Sequence, residues 1–433
     1  MPKEPFSDLL EEAKPKINPW AWISTLYFAE GIPYVIVMVV STIMYKNLGI
    51  SNSDIAFYTS WLYLPWVIKF AWSPFVDILK TKRFWIIVMQ LILGVGFAGV
   101  ALTLPAENFF RYSLAFLWLL AFSSATHDIA ADGFYMLALR EDQQAFFVGI
   151  RSTFYRIAMI TGQGLLVVLA GYLEEQINLV RAWQITMGVS GALMIFLYLY
   201  HSAILPKVED EPEEKTSFKE ILNELVKVLV KFFQKKQILL IIVFILLYRL
   251  GEAQLGKIAA PFLLDSVDAG GLGISTKEVG LIYGTIGVIA LVAGGIIGGI
   301  LASRDGLKAW IWWMVAAINI PNVVYIYLSA TQPSSFYIIS SCVAIEQFGY
   351  GFGFTAFMLY LIYVADGEHK TAHFAFCTAL MALGMMIPGM FSGDIQEAIG
   401  YQNFFIWVLV ATIPAFILTY FIPLDPEFGK KKK

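Results

Sequence analysis

Apolar runs of about 20 residues recur along most of the chain, with only short polar stretches between them. A run of this length crosses a bilayer as an α-helix, whereas the strands of a porin-type barrel would show alternating runs of about ten residues. Because 58% of the 433 residues are hydrophobic and only 15% are charged, no soluble fold could bury the apolar surface. The sequence therefore predicts an all-α polytopic membrane protein.

Twelve membrane spans are predicted, six before and six after a long charged segment. Their approximate bounds are 19–44, 54–78, 84–104, 111–139, 144–172, 181–205, 237–264, 276–303, 308–330, 334–365, 371–398 and 402–422. Two equal groups of spans indicate two halves of one fold. The predicted domains are a cytoplasmic N-terminal segment, a six-helix bundle, a cytoplasmic linker, a second six-helix bundle and a basic cytoplasmic tail, at 1–17, 18–205, 206–236, 237–423 and 424–433.

The linker begins acidic and then carries apolar residues at helical spacing from about Ser217, which predicts an amphipathic surface helix. We expect the leucines of this helix to pack inward against the membrane domain. The apolar positions are Leu222, Leu225, Val226, Leu229 and Phe232.

Charge placement predicts the orientation of the chain. If both termini lie inside the cell, the inner loops hold most of the 30 Lys and Arg residues, and the outer loops hold Lys46, Arg111, Arg181 and Lys277. An excess of basic residues in cytoplasmic loops is typical of multi-pass membrane proteins. Both termini and the linker are therefore predicted to be cytoplasmic.

Prolines are expected to interrupt several spans. The segment Glu30–Pro33 lies in the first span, Pro65 and Pro74 lie in the second, Pro321 in the ninth and Pro388 in the eleventh. Irregular backbone at membrane depth is tolerated where protein or a cavity covers it, and in transporters it often flanks the binding site. For Pro321 a kink without chemistry is the simpler interpretation.

The segment Ser123–Gly133 places His127, Asp128 and Asp132 inside an otherwise apolar span. Ionisable groups are costly in a bilayer, usually face a polar interior and mark a pathway. Asp128 and Asp132 are four residues apart and so share one face of a helix. We expect this face to line a substrate or proton route. The alternative is that an aspartate pairs with a basic neighbouring helix and only holds the bundle together.

Counting residues from the inner end of each span places several charges at one depth. Glu30, Lys69, Asp128 and Arg156 each lie roughly 18 Å from that end, near the middle of a hydrocarbon core about 30 Å thick. Charges of opposite sign at one level predict a polar cavity between the two halves. For Lys69 and Asp128, a structural ion pair is the alternative.

Further charges lie at other positions within the spans. Asp132 and Arg151 are level with each other at roughly 12 Å, so they too could form a structural ion pair. In the second half, Arg249 and Glu252 lie within the seventh span and Glu346 near the middle of the tenth. The N-terminal half therefore carries most of the intramembrane charge.

Five stretches carry a resemblance to a known family. They are Tyr27–Pro33, Ile68–Asp77, His127–Asp132, Leu247–Ala253 and Glu346–Phe357. In these stretches the chain resembles a major facilitator transporter of the muropeptide permease (AmpG) type, whose relatives include acetyl-coenzyme A transporters. The resemblance runs along nearly the whole chain and implies the major facilitator fold, with 12 transmembrane helices in two six-helix bundles.

The resemblance implies proton-driven uptake of N-acetylglucosaminyl-1,6-anhydro-N-acetylmuramic acid, with or without peptide, for cell-wall recycling. The implied location is the bacterial inner membrane. The implied partners are an amino-sugar or muropeptide, protons and the lipid bilayer, with no nucleic acid and no cofactor, and the protein is expected to be a monomer. A transporter of the same fold for acetyl-coenzyme A, another sugar or a drug is the nearest alternative.

Site roles follow from combining the charges with this substrate. Asp128 is the first candidate for the proton carrier and Glu30 the second, because a buried carboxyl group can exchange a proton when its surroundings change. The further proton-coupling candidates are Asp132 and Glu346. Muramic acid carries a lactyl carboxylate that a basic residue could bind. The substrate-binding candidates are Lys69, Arg156, Arg249, Glu252, Tyr34, Trp61, Arg151 and His127, of which Tyr34 and Trp61 could stack on a sugar ring.

A cytoplasmic gate is predicted between spans two and three, where Asp77 precedes Lys80, Lys82 and Arg83. Such a cluster could hold one transport state closed through ion pairs and contacts with helix ends. Simple anchoring by basic residues at the membrane surface is the alternative.

Other classes of function fit the sequence less well. A membrane-embedded acyltransferase or hydrolase would need a nucleophile beside a base or a metal cluster, and the chain has only four histidines and two cysteines. A nucleotide-binding motif that could support ATP-driven transport is missing. A passive channel would not require two matching halves. We therefore predict neither a catalytic site nor a metal site.

Overall fold

The structure is a computed structural model that describes residues 17–208, 218–367 and 369–430. Every regular element in these residues is a helix. Their bounds are α1 (Pro19–Asn47), α2 (Asn52–Trp61 and Leu64–Leu79), α3 (Lys82–Thr103), α4 (Phe109–Ala138), α5 (Glu141–Met159, Ile160–Leu166 and Val167–Gln176), α6 (Leu179–Ile204), α7 (Phe218–Phe233), α8 (Ile238–Leu247 and Leu250–Leu264), α9 (Thr276–Asp305), α10 (Leu307–Thr331), α11 (Phe336–Ala365), α12 (370–399) and α13 (401–421).

Twelve crossings of the membrane can be traced through the described residues. Ten helical stretches are long and apolar enough to span a bilayer, and one of them, Lys370–Phe421, turns at Gly400 (φ 77°) to give α12 and α13. The second crossing is α2, which is interrupted at Leu62 and Tyr63. The predicted all-α fold is therefore confirmed, with α1–α6 and α8–α13 as its two halves.

Each half is built around one central set of close helix contacts. In the first half α3 packs along α4 and α6, while α1 packs along α5. In the second half α11 packs along α9 and α10, while α8 packs along α12 and α13. Because the number of crossings is even, residues 17 and 430 lie on the same side of the molecule. We call this side the terminal side and the opposite side the far side.

The predicted linker helix is present as α7 and is attached to the second half. Phe232 is fully buried, and its ring lies 5.4 Å from that of His373 and 4.8 Å from that of Phe376. Just after α7, the Lys235 Nζ donates hydrogen bonds to the carbonyl oxygens of Val364 (2.7 Å) and Asp366 (2.8 Å), at the end of α11. Leu229 is half-buried, whereas the side chains of Leu222 and Leu225 lie outside the described part.

The break expected at Glu30–Pro33 is wrong, because Ile23–Val35 is a continuous α-helix with Pro33 inside it. The irregularity comes directly afterwards, where Ile36–Val40 widens into a π-helix, a form in which hydrogen bonds close over five residues. In the second crossing the predicted break is present at Pro65, since a new helix begins at Leu64. The breaks expected at Pro74 and Pro388 are wrong, because both prolines lie inside continuous helices. The break in α8 falls at Tyr248 and Arg249, where the sequence has no proline.

The two halves are joined on the far side by a polar network that we call the far-side seal, formed by Lys46, Asn52, Asp265, Gln396 and Tyr401. The Lys46 Nζ lies 2.7 Å from an Asp265 carboxylate oxygen and donates to the Asn52 side chain at 2.8 Å. The Asn52 amide donates to Gln396 (2.6 Å) and to the Tyr401 hydroxyl (2.8 Å), which donates in turn to Asp265. The far side is therefore closed in this structure.

Helices α5 and α9 also meet across the two halves, with their backbones in contact. Both are π-helical where they meet, at Ile160–Leu166 and Ile282–Gly287. A Cβ atom added to Gly284 would lie 1.8 Å from the carbonyl oxygen of Gln163, and one added to Gly164 would lie 2.7 Å from the Thr285 hydroxyl. Glycine is therefore required at this crossing by the close approach of the two chains.

Candidate functional site

Two ion pairs lie within the first half, between residues that depth counting places level with each other. The Lys69 Nζ is 2.5 Å from an Asp128 carboxylate oxygen and joins α2 to α4. An Arg151 nitrogen is 2.9 Å from an Asp132 oxygen and joins α5 to α4. Helical spacing accounts for this arrangement, because Asp128 and Asp132 present both carboxylates on the same face of α4.

Aromatic residues surround the Asp132–Arg151 pair. The Tyr27 hydroxyl donates to Asp132 (3.1 Å) and accepts a hydrogen bond from Arg151 (2.8 Å). The guanidinium group of Arg151 also lies 5.0 Å from the ring centres of both Tyr27 and Tyr135, within the range of a cation–π contact. The Asp132 side chain is 46% exposed, so the pair is not fully enclosed by its neighbours.

Glu30 completes the acidic cluster, and within the described residues it forms no ion pair of its own. Its carboxyl group interacts with those of Asp128 and Asp132, both of which are already paired with a basic residue. Glu30 is buried in α1, and its Oε2 atom accepts no hydrogen bond. A buried oxygen without a partner costs free energy, and a proton on the carboxyl group would remove its repulsion with the two aspartates.

The second half contributes a separate charged cluster of Arg249, Glu252 and Glu346. Arg249 donates to the Tyr350 hydroxyl, and its guanidinium group packs on the rings of Tyr350 (5.1 Å) and Phe354 (4.9 Å). The Nε atom of Arg249 and the Oε2 atom of Glu252 are both buried without a hydrogen-bond partner. Glu346 accepts a hydrogen bond from its neighbour on α11, the Gln347 amide, at 3.0 Å.

Arg156 extends from α5 towards the second half. A Cβ atom on Gly295 of α9 would lie 3.9 Å from its guanidinium group, and Arg156 interacts electrostatically with Tyr350 of α11. Within the residues that the structure describes, no hydrogen bond or ion pair is found for its side chain, which is only half-buried. Arg156 is therefore a cation available to bind an anion where the two halves meet.

Tyr34 lies between the clusters of the two halves. Its ring packs against Trp66 (5.3 Å) and Tyr155 (6.4 Å), and it interacts electrostatically with both Asp128 and Arg249. Trp61 is the second predicted stacking residue, but no described contact joins it to this group. The helix is interrupted just after Trp61, and Trp66, in the segment that begins at Leu64, packs against Tyr34.

His127 lies apart from the two clusters, in the interior of the first half. It is fully buried and forms a 2.9 Å hydrogen bond with Gln90, whose oxygen is 3.0 Å from His201. His201 in turn is 2.9 Å from the Thr25 hydroxyl. This chain ties α1, α3, α4 and α6 together, so the position of His127 favours packing within the bundle over contact with a substrate.

Lys257 is a buried basic residue without a predicted role in the site. Its Nζ donates a hydrogen bond to the Thr59 hydroxyl of the other half at 2.9 Å and lies 5.3 Å from the ring centre of Tyr63. A signal was available in the sequence, since no acidic residue lies three or four positions from Lys257 in either direction along the helix. Such a lysine must find a partner outside its own helix.

The predicted gate residues are only partly described. Arg83 donates to the carbonyl oxygens of Leu205 (2.9 Å) and Ser202 (2.5 Å) and so binds the end of α6 within its own half. Lys82 is buried, whereas the side chain of Asp77 lies outside the described part. A gate formed by Asp77, Lys80, Lys82 and Arg83 stays a prediction.

Taken together, the clusters offer two ion pairs, aromatic rings and two arginines that form no ion pair within the described residues. This chemistry suits reversible binding of a polar solute. Within the described residues, no group of three or more His, Cys, Asp or Glu side chains could hold a metal ion.

Solved structures of transporters share this fold. The nucleoside transporter NupG matches 92% of this chain and 96% of its own with a TM-score of 0.65 at 16% identity. A D-xylose-proton symporter matches 93% of this chain and 97% of its own with a TM-score of 0.66 at 12% identity. At this low identity the similarity shows the fold alone.

Relatives by sequence point to one group of transporters. The anhydromuropeptide permease of Escherichia coli (strain K12) is 27% identical over 406 residues, which cover 91% of this chain and 77% of that protein. The model of the Major Facilitator Superfamily matches residues 23–376, which is most of the chain. The chain is therefore a multi-pass membrane transporter that belongs to the Major Facilitator Superfamily.

Proposed function

We propose that this transporter takes up anhydro-muropeptides, that is GlcNAc–anhydroMurNAc with or without peptide, in symport with protons for cell-wall recycling. The observation that carries the proposal is the combination of unpaired cations with aromatic rings where the two halves meet. Arg156 and Arg249 approach Tyr350 from opposite halves, and Tyr34 lies beside Trp66. The relative named anhydromuropeptide permease supports the same substrate.

A lactyl carboxylate would bind to the two arginines. The Arg249 Nε is buried without an acceptor, and Arg156 has no described hydrogen bond, so both retain donors for an anion. Guanidinium groups bind carboxylates through two parallel hydrogen bonds, which favours arginine at such a site. Lys69 is a less direct candidate because Asp128 already holds it.

The sugar rings would stack on the aromatic residues beside these cations. Tyr34 and Trp66 stand nearly perpendicular, at 84°, and form a corner on the first-half side of the site. Sugar rings present apolar C–H faces that pack on aromatic side chains, while their hydroxyl groups need polar partners. Glu252 and Glu346 would supply acceptors for hydroxyl or amide groups from the second half.

Proton coupling would use the acidic cluster of the first half. Asp128 is suited to couple protons to substrate because it is paired with the cation Lys69 and also interacts with a second carboxyl group, that of Glu30. A proton arriving at Glu30 or Asp128 would weaken the attraction that holds Lys69. Lys69 would then become available to the substrate carboxylate, which links protonation to substrate binding.

We further propose that the protein lies in the bacterial inner membrane as a monomer with both termini in the cytoplasm, so that the terminal side is cytoplasmic. Protease added to intact spheroplasts should then leave the linker at residues 206–236 uncut, whereas protease added to inverted vesicles should cut it. The fragments can be followed by antibodies to tags at either end. Cleavage from the periplasmic side would contradict the proposed orientation, and a tag cleaved in both preparations would reveal leaky membranes.

Uptake by proteoliposomes tests the function directly. Radiolabelled GlcNAc–anhydroMurNAc should accumulate when the outside is acidic, and collapse of the pH gradient with a protonophore should reduce the ratio of inner to outer concentration to about one. Acetyl-coenzyme A and free N-acetylglucosamine serve as competing solutes. Accumulation of one of these without uptake of the disaccharide would contradict the proposed substrate, and accumulation without a pH gradient would contradict the coupling.

A further inference from the structure

The side chain of Lys257 lies where the two halves meet, between the far-side seal and Arg249. It precedes Asp265 of the seal by eight residues and follows Arg249 by eight residues, so about 12 Å of helix separates it from each. Its contacts with Thr59 and Tyr63 both cross from the second half to the first. Any opening of the far side must therefore separate Lys257 from its present partners.

The environment of Lys257 does not balance its charge. The residue is 5% exposed, and no carboxylate lies within ion-pair distance of it in the described part of the chain. One hydroxyl acceptor and one aromatic ring satisfy only part of an ammonium group that has three donors. A buried cation without a counter-ion costs several kcal/mol, and ionisable residues inside membrane spans mark substrate or ion pathways.

A second hydroxyl group, that of Ser60, lies near the Lys257 side chain where the halves meet. Ser60, next to Thr59 on α2, is buried and its hydroxyl has no hydrogen-bond partner. On α12, Gly389 brings the backbone close, since a Cβ atom there would lie 2.8 Å from the Ser60 hydroxyl and 3.4 Å from the Lys257 stem. The Lys257 stem and the Ser60 hydroxyl thus lie beside the same glycine, while the Thr59 hydroxyl accepts a hydrogen bond from Lys257 and donates one to the Ile55 carbonyl oxygen.

We propose that Lys257 is a substrate-binding residue that receives the anionic group of a solute entering from the far side. The solute class is a carboxylate-bearing sugar, and this assignment rests on the proposed function. In the far-open state Thr59 moves away with the first half, and the solute carboxylate takes its place on the ammonium group. Lys257, Arg249 and Arg156 then form successive cationic contacts from the far side to the middle of the molecule, none of them in a described ion pair.

Kinetics with two matched solutes test this inference. One is GlcNAc–anhydroMurNAc and the other is the same disaccharide with its lactyl carboxylate converted to the amide. In proteoliposomes that expose the far side, Lys257→Met should raise the KM for the acid by about tenfold and leave the KM for the amide within about twofold. Lys257→Arg should retain the KM of the unaltered protein for the acid.

Lys277→Met is the matched control, because Lys277 is an exposed far-side lysine near Glu175. An equal rise in KM for the acid in that variant would indicate diffuse attraction and would overturn the inference. Equal shifts for acid and amide in Lys257→Met would assign Lys257 to packing and overturn it as well. If Lys257→Met does not insert, Thr59→Val must leave the acid KM unchanged or lower, and a rise would contradict the proposal. A lack of uptake of both solutes by the unaltered protein would overturn the proposed function itself and this inference with it.

Discussion

Asp128→Asn is expected to abolish proton-driven accumulation while substrate exchange continues. Asparagine has nearly the same shape as aspartate but cannot carry a proton, so the coupled step is lost and the accumulation ratio falls to about one. The fold should survive, because the Lys69 side chain is 24% exposed and water can solvate its ammonium group once the partner is neutral. Counterflow and accumulation, measured on the same proteoliposomes, separate the two activities.

Two further variants show whether the effect is specific to Asp128: Glu30→Gln tests the second candidate for the proton carrier, and Asp142→Asn is the control. Glu30 interacts with Asp128 and has an unpartnered buried oxygen, so it is the second candidate for the carrier. Asp142 forms an exposed pair with Arg140, so Asp142→Asn should leave accumulation unchanged. Persistent accumulation in Asp128→Asn together with loss in Glu30→Gln would move the carrier role to Glu30. Failure of Asp128→Asn to fold would favour a purely structural ion pair.

Gly284→Ala should prevent closure of the far side and reduce transport strongly. The new Cβ atom would lie 1.8 Å from the Gln163 carbonyl oxygen, which is backbone and cannot rotate away. Overpacking of this kind costs roughly 1–3 kcal/mol, which shifts an equilibrium roughly 5- to 150-fold, here towards the far-open state. The shift can be measured as faster labelling of Ser60→Cys from the far side, in a background with Cys342→Ala and Cys377→Ala.

Gly299→Ala on the same helix is the control for this result. A Cβ atom at Gly299 would have no neighbour within 4 Å, so labelling and transport should match those of the unaltered protein. Unchanged labelling in Gly284→Ala would mean that the helices adjust locally, and the α5–α9 crossing would then not limit closure. Equal effects of both substitutions would point to helix propensity instead of the contact.

Part of the site was predictable because depth in a membrane helix follows from residue counting. Counting placed Lys69 level with Asp128 and Arg151 level with Asp132, and these are the pairs that the structure contains. The count works because each helix rises by a fixed distance per residue and starts near the same membrane boundary. The count does not predict which way a side chain points around the helix axis. His127 is an example, because its side chain points into the bundle.

The positions of the breaks within the membrane helices could not be predicted from the sequence. Proline was used as the signal, but Pro33 lies within a continuous helix and α8 breaks at Tyr248 and Arg249 without a proline. Tertiary packing decides these positions, and a single sequence does not contain it. For the same reason the sequence did not reveal that Trp66 packs against Tyr34 or that Lys257 contacts Thr59 across the two halves.

The π-helical segment Ile160–Leu166 determines which residues lie on the same side of α5. Arg156 and Gly164 are eight positions apart, which in an uninterrupted α-helix would set them about 80° apart around the axis. A π-helical turn holds more residues than an α-helical turn, so each of its residues advances the chain by a smaller angle around the helix axis. This smaller advance removes most of the angle between Arg156 and Gly164. Arg156 and Gly164 accordingly both face α9, where a Cβ on Gly164 would lie 3.1 Å from the Gly284 oxygen. The π-helical segment thus places Arg156 and Gly164 on the same side of α5. That side carries both the cation of the site and the glycine backbone that contacts α9.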